Sequence, residues 1–169
     1  MSIENLIAKE ILGIDPGIGG AIAKYDGKIE VTKMPKFDEL CDYFDKQKEI
    51  CKLPLIFLEK VQLRPGDSDR GKQFQIEKML RQYTELLTVI KTRKIFYIEV
   101  HPVTWQTYLR IKIGGEDRSV RKRRYADIAR EKYPQVKVTL QNADSLLLVE
   151  FGRMKLKYDS LWILRNVRK

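Results

Sequence analysis

Ile11-Leu12-Gly13-Ile14-Asp15-Pro16-Gly17 is an apolar run that ends on an acid and is stopped by a Pro-Gly turn. This pattern predicts a short buried strand with a carboxylate at its carboxyl end. Gly19-Gly20 then leads into a second strand over Ala21–Tyr25. Asp26-Gly27 is a two-residue hairpin signal, and residues 28–34 alternate as a third strand. The chain therefore opens as a three-stranded antiparallel meander, and Pro35 ends it.

Beyond the meander the period changes. Phe37, Leu40, Cys41 and Phe44 share one helical face. Residues 53–61 are the most hydrophobic stretch and read as a central strand covered on both sides. Residues 62–72 form a polar, glycine-containing loop. Residues 74–90 predict a long helix with Ile76, Met79, Leu80, Tyr83, Leu86, Leu87 and Ile90 on one side. Residues 95–100 make a fifth strand. Pro102 opens a helix through Trp105 and Leu109, and 111–117 is a further loop. A basic helix spans 119–133, with Tyr125, Ile128 and Ala129 inward, and Pro134 stops it; 136–140 reads as extended. Residues 143–164 are helical with an interruption expected near Gly152. This order predicts an α/β fold: one domain over 1–169, with a five-stranded mixed sheet whose first three strands are antiparallel and helices on both faces.

Composition narrows the partner. The 169 residues carry 33 Lys and Arg against 23 Asp and Glu, a net charge of +10. Residues 1–109 hold 17 basic and 16 acidic side chains, whereas 110–169 hold 16 basic and 7 acidic. A cationic surface is thus expected in the last third, fitting a polyanion, nucleic acid before an anionic membrane. No apolar run approaches the ~20 residues that span a bilayer, and the first residues lack the pattern of a signal or transit peptide. The expected location is cytoplasmic. Cys41 and Cys51 read as free thiols, and with His101 the only histidine, a closed zinc site is not expected. Any metal would rely on oxygen ligands, hence Mg²⁺, or Mn²⁺ in its place.

Three acids stand beside apolar runs: Asp15 after Ile14, Glu59 after Ile56-Phe57-Leu58, and Asp144 before Ser145-Leu146-Leu147-Leu148. Buried carboxylates are costly unless compensated, and a divalent cation compensates several at once. Spacing alone leaves plainer readings open: Asp15 as a turn residue, Asp144 as a helix cap, Glu59 as the partner of a nearby Lys or Arg.

The motifs together carry a resemblance. Gly13-Ile14-Asp15-Pro16-Gly17, Leu58-Glu59-Lys60-Val61, Val100-His101-Pro102-Val103-Thr104-Trp105 and Ala143-Asp144-Ser145-Leu146-Leu147-Leu148 follow one another in the order seen in RuvC-type Holliday junction resolvases, of the RNase H-like nuclease superfamily. A basic stretch before the last motif is also similar, and phage-encoded members look closest. The resemblance spans about residues 10–152. It implies an RNase H-like fold and a Mg²⁺-dependent endodeoxyribonuclease. Such an enzyme resolves junctions by paired nicks in a bacterial or phage-infected cell, displacing the 3′ oxygen and leaving a 5′ phosphate. Asp15, Glu59 and Asp144 would be the catalytic metal ligands. Where many members carry an acid or His three residues before the final Asp, this chain has Gln141, followed by Asn142. Either amide is a weak candidate for a fourth ligand. His101 reads as a structural loop residue rather than a ligand.

For DNA, the candidates are Arg64, Arg70, Lys72, Gln73 and Phe74 after Glu59, and Arg110, Lys112, Arg118, Arg121, Lys122 and Arg124 around the basic helix. Phe74 reads equally as a base-stacking wedge at the strand-exchange point or as the first core residue of its helix. Helix 73–91 could pair with its copy through Met79, Tyr83, Leu86 and Ile90, or be buried in its own domain; a homodimer suits two matched cuts. Two rivals remain: a nuclease of this fold acting on flapped or hybrid substrates, and a non-catalytic junction-binding protein.

Overall fold

The structure is a computed structural model and describes residues 10–17, 19–50, 54–61 and 70–169, without the side chains of 47–50 and 70–72. Five strands appear: β1 (Ile11–Asp15), β2 (Ala21–Tyr25), β3 (Ile29–Lys33), β4 (Leu55–Glu59) and β5 (Tyr97–Val100). Six helices accompany them among the described residues: α1 (Phe37–Ile50), α2 (Arg70–Thr92), α3 (Pro102–Tyr108), α4 (Arg118–Lys132), α5 (Ala143–Tyr158) and α6 (Ser160–Asn166).

The sheet order is β3-β2-β1-β4-β5. β1, β2 and β3 pair antiparallel, while β4 runs parallel to both β1 and β5. This is the expected mixed sheet. Between β1 and β4 the chain's direction of travel across the sheet reverses, and the carboxyl ends of such strands leave a crevice where ligands bind. Ile14 lies opposite Leu58, so Asp15 and Glu59 follow at the same level on adjacent strands.

Strand alternation sends side chains to two cores. Leu12, Ile14, Ile56 and Leu58 pack with Leu40 and Phe44 of α1 and Leu86, Val89 and Ile90 of α2. Arg93 ties these helices together, its guanidinium donating to both carboxylate oxygens of Asp45 at 2.7 and 2.6 Å. On the other face Ile11, Leu55, Phe57, Ile98 and Val100 pack against α3, α4, α5 and α6. Leu146, Leu147, Leu148, Val149 and Phe151 of α5 are all fully buried. A helix apolar on every side is a central one, and each such side chain contributes roughly 1.5–3 kcal/mol through burial.

Two glycines let α5 descend onto the sheet. A Cβ on Gly13 would lie 2.3 Å from the Ser145 carbonyl oxygen and 2.7 Å from the Val149 nitrogen. A Cβ on Gly152 would lie 2.5 Å from the Phe57 ring. Gly152 therefore serves contact with β4 rather than interrupting the helix. The interruption expected there occurs at Asp159, whose carboxylate accepts from the Trp162 N–H and starts α6.

Other expectations also shift. The Asp26-Gly27 hairpin has three loop residues, since Tyr25 pairs with Ile29 and Gly27 adopts a φ of 107°. Residues 136–140, expected to be extended, join no strand of the sheet and run as irregular chain from α4 to the turn before α5. On the proposed dimer face, Leu86 and Ile90 are buried in their own domain and the Tyr83 hydroxyl donates to Glu99. Met79 alone of that set keeps neither commitment. No helix among the described residues is long and apolar enough to cross a membrane.

Candidate active site

A cleft of about 1210 Å³ opens at the carboxyl ends of β1 and β4, and Asp15, Glu59 and Asp144 all line it. Alternation puts Asp15 and Glu59 on the face that α5 covers. The close approach at Gly13 brings the first turn of α5, with Asp144, down beside them. Three acids separated by 44 and 85 positions thus line one cleft.

Charge in this recess is unevenly matched. Asp15 accepts from the Gly17 N–H at 3.0 Å. Burial, and then the negative charge of Asp144, push its carboxyl above the ordinary value of 3.8. Asp144 is 7% exposed; its Oδ2 accepts from the Lys122 ammonium at 2.6 Å, while its Oδ1 is buried with no hydrogen-bond partner. Burial alone would depress the Lys122 ammonium, but Asp144, Asp15 and Glu59 together hold it above its usual 10.5. Lys122 was expected on the DNA surface; it also serves as the internal counter-ion of the acids. Its place was readable, since Lys122 precedes the buried Tyr125, Ala126 and Ala129 on one helical stripe.

Whether these residues fit a divalent cation is a matter of donors. The recess offers carboxylate oxygens, the hard ligands that Mg²⁺ and Mn²⁺ prefer. The buried, unpartnered Oδ1 of Asp144 and the forced proximity of Asp15 are both relieved by a cation. Among the described residues, no three Asp, Glu, His or Cys side chains already stand as a ligating set. Lys122 instead holds one of the oxygens a metal would take. The donor chemistry fits, with the ammonium occupying part of the place.

The two amides divide. Gln141 lines the cleft. Asn142 is spent elsewhere: its Oδ1 accepts from the Thr139 N–H at 2.7 Å and its Nδ2 donates to the Lys137 carbonyl at 3.0 Å. Asn142 shapes the turn into α5 and is set aside as a ligand, since both ends of its amide are committed to backbone. His101, exposed ahead of α3, does not line the cleft.

Arg118, Arg121 and Arg123 of α4 form one wall of the cleft, and Phe74 and Lys78 of α2 form another. Lys78 was not among the expected DNA contacts. Phe74 is 76% exposed, so it is not a core residue. Arg124 was expected to meet DNA but is held by Glu116 through two bonds of 2.8 and 2.6 Å, fastening the loop before α4. Arg110, Lys112 and Gln73 are exposed outside the cleft. Arg64 lies outside the described residues, as do the side chains of Arg70 and Lys72.

Comparison with solved structures decides the architecture. Thermus thermophilus RuvC in complex with a Holliday junction substrate matches with a TM-score of 0.54 at 11% identity, over 89% of this chain and 96% of that one. A second structure of Thermus thermophilus RuvC matches with a TM-score of 0.55 at 12% identity, over 89% and 97%. The chain has the RuvC fold. No family model matches the sequence, and no curated protein matches it. At this identity the likeness concerns the path of the backbone. Within the RuvC fold, the cleft and its acids are this chain's own, and they stand where β1, β4 and α5 converge.

Proposed function

We propose that this protein is a divalent-metal-dependent endonuclease that resolves four-way DNA junctions. The carrying observation is the meeting of Asp15, Glu59 and Asp144 in a cleft walled by Arg118, Arg121 and Arg123. The RuvC fold supports the same reading, since one of its matched structures contains a Holliday junction substrate.

Each group has a task in this reading. Asp15, Glu59 and Asp144 would hold the metal, with Gln141 at the rim orienting water. The metal, once bound, supplies water activation and stabilisation of the leaving oxygen at a phosphodiester. The α4 arginines bind the phosphates that flank the scissile bond and set its position over the acids. Lys122 neutralises the acids while no metal is bound, and a bound metal would free its ammonium to meet a phosphate. Paired nicks need two sites. A homodimer would form through the amino-terminal half of α2, at Ile76, Met79 and Leu80, because Leu86 and Ile90 are buried internally.

A second reading has one observation in its favour. Lys122 already satisfies Asp144, and a protein that used the ammonium in place of a metal would bind junctions without cutting them. Cleavage of four-way, flapped, hybrid and linear duplex substrates, with Mg²⁺ or Mn²⁺ and with Asp15→Asn as control, separates the readings. Nicks in the four-way junction that Asp15→Asn abolishes are expected. Binding without cleavage under either ion would support the second reading. Equal cutting of linear duplex would contradict junction selectivity.

A further inference from the structure

A second groove, of about 760 Å³, lies between the end of β3 with the start of α1 and the amino-terminal half of α2. Two phenylalanines line it: Phe37, 43% exposed, and Phe74, 76% exposed. Neither belongs to the core that α1 and α2 build with Leu40, Phe44, Leu86, Val89 and Ile90. The helical face that includes Leu40 and Phe44 predicts Phe37 inside; the structure turns it to the groove instead. Lys33, Lys36, Lys78 and Arg81 stand around the rings. The acids there are Glu77, 3.6 Å from Arg81, and Glu85, so the cations outnumber them. Gly19, Phe74 and Lys78 line both this groove and the carboxylate cleft, which makes the two surfaces continuous.

We propose that this groove binds a single unpaired DNA strand where it leaves the branch point beside the cleft. Cations that track a backbone, combined with aromatic rings that offer stacking faces, are the features that hold single strands without reading sequence. A duplex arm would serve the cations but not the rings, because its base faces are already covered by stacking. A strand with unpaired bases satisfies both. The proposal rests on the branched-DNA reading, and it adds that the protein takes hold of an unpaired tract and not only of paired arms.

Fluorescence anisotropy with the full chain tests it, using a labelled oligo-dT of about ten nucleotides and a fully paired four-way junction. Phe37→Ala is the informative variant, since Phe37 lines this groove but not the carboxylate cleft, and it lies outside the buried core. It is expected to weaken oligo-dT binding by at least about fivefold, from the loss of one stacking platform, and junction binding by much less. Lys33→Gln with Lys36→Gln should lower the salt dependence of oligo-dT binding. Leu161→Ala, which removes another exposed apolar side chain, should change neither probe. An unchanged oligo-dT affinity in Phe37→Ala, or equal losses on both probes, overturns the proposal. Wild-type protein that binds the junction but no single strand overturns it and leaves the branched-DNA reading standing; binding of neither removes both. If sedimentation shows that Phe37→Ala dissociates a dimer while oligo-dT binding persists, the groove is an interface between copies and the proposal fails.

Discussion

The Lys122 ammonium stands 2.6 Å from Oδ2 of Asp144, at the point where β1, β4 and α5 bring three carboxylates together. Residue 122 comes from the cationic helix and residue 144 from the apolar one. Their contact joins the cationic wall of the cleft to its acidic floor.

Lys122→Gln should therefore destabilise the metal-free protein. The pair is partly solvated, with side-chain exposures of 28% and 10%. The cost should accordingly lie below the 3–5 kcal/mol of a fully buried pair, at about 1–3 kcal/mol. Urea unfolding measures it. Millimolar Mn²⁺ should recover more stability in the variant than in the wild type, since the cation replaces the missing charge. An unchanged unfolding midpoint would mean that the ammonium does not balance the acids.

Asp15 gives a pH dependence of defined sign. Its carboxyl titrates above the 3.8 of a free aspartate because of burial and Asp144, so the folded state binds the proton more tightly than the unfolded state. The stability this proton confers is complete below 3.8 and is lost as pH rises through the elevated folded value. Asp15→Asn escapes that loss. Without metal, the variant should melt above wild type at neutral pH. The advantage should vanish in acid. Differential scanning calorimetry across pH checks both the sign and the window; a variant less stable than wild type at pH 7 would contradict it.

Gly13→Ala tests how Asp144 reaches the site. The added methyl meets the Ser145 carbonyl and the Val149 nitrogen, backbone atoms that cannot swing aside. α5 must lift, at a cost of at least 1–3 kcal/mol, and Asp144 moves with it. Gly114→Ala, where a Cβ meets nothing within 4 Å, is the matched control and should fold normally. Full stability in Gly13→Ala would show that α5 does not depend on this contact.

Much of this was legible beforehand, for identifiable reasons. The strand acids Asp15 and Glu59 were readable because short apolar runs bounded by Gly and Pro mark strand ends. The register that sets them side by side was not, because it is fixed by pairing between distant segments. Gly152 shows the limit of local reading: a mid-helix glycine looks the same whether it breaks a helix or makes room for Phe57. Asn142 and Arg124 show another. Polar side chains near a site reveal nothing in sequence about the local bonds, to Thr139 and Lys137 or to Glu116, that remove them from it. Lys122 lay on the inward stripe, but its charge suggested the surface.

The arginines divide into two groups by a salt titration of junction binding. Arg118→Gln, Arg121→Gln and Arg123→Gln should each flatten the slope of log affinity against log salt by about 1. Arg124→Gln should change the slope less, since Glu116 already engages Nε and a terminal nitrogen of its guanidinium, and should loosen the loop before α4 instead. Equal slopes for all four variants would argue against this division.

The convergence of Asp15, Glu59 and Asp144 on a cation is tested most directly by the anomalous difference map of a crystal soaked in Mn²⁺. The expected result is a peak between Asp15 and Asp144 within reach of Glu59, with the Lys122 ammonium moved off Oδ2 of Asp144. A map with no peak in the cleft, and Lys122 still seated on Asp144, would contradict a metal-dependent nuclease.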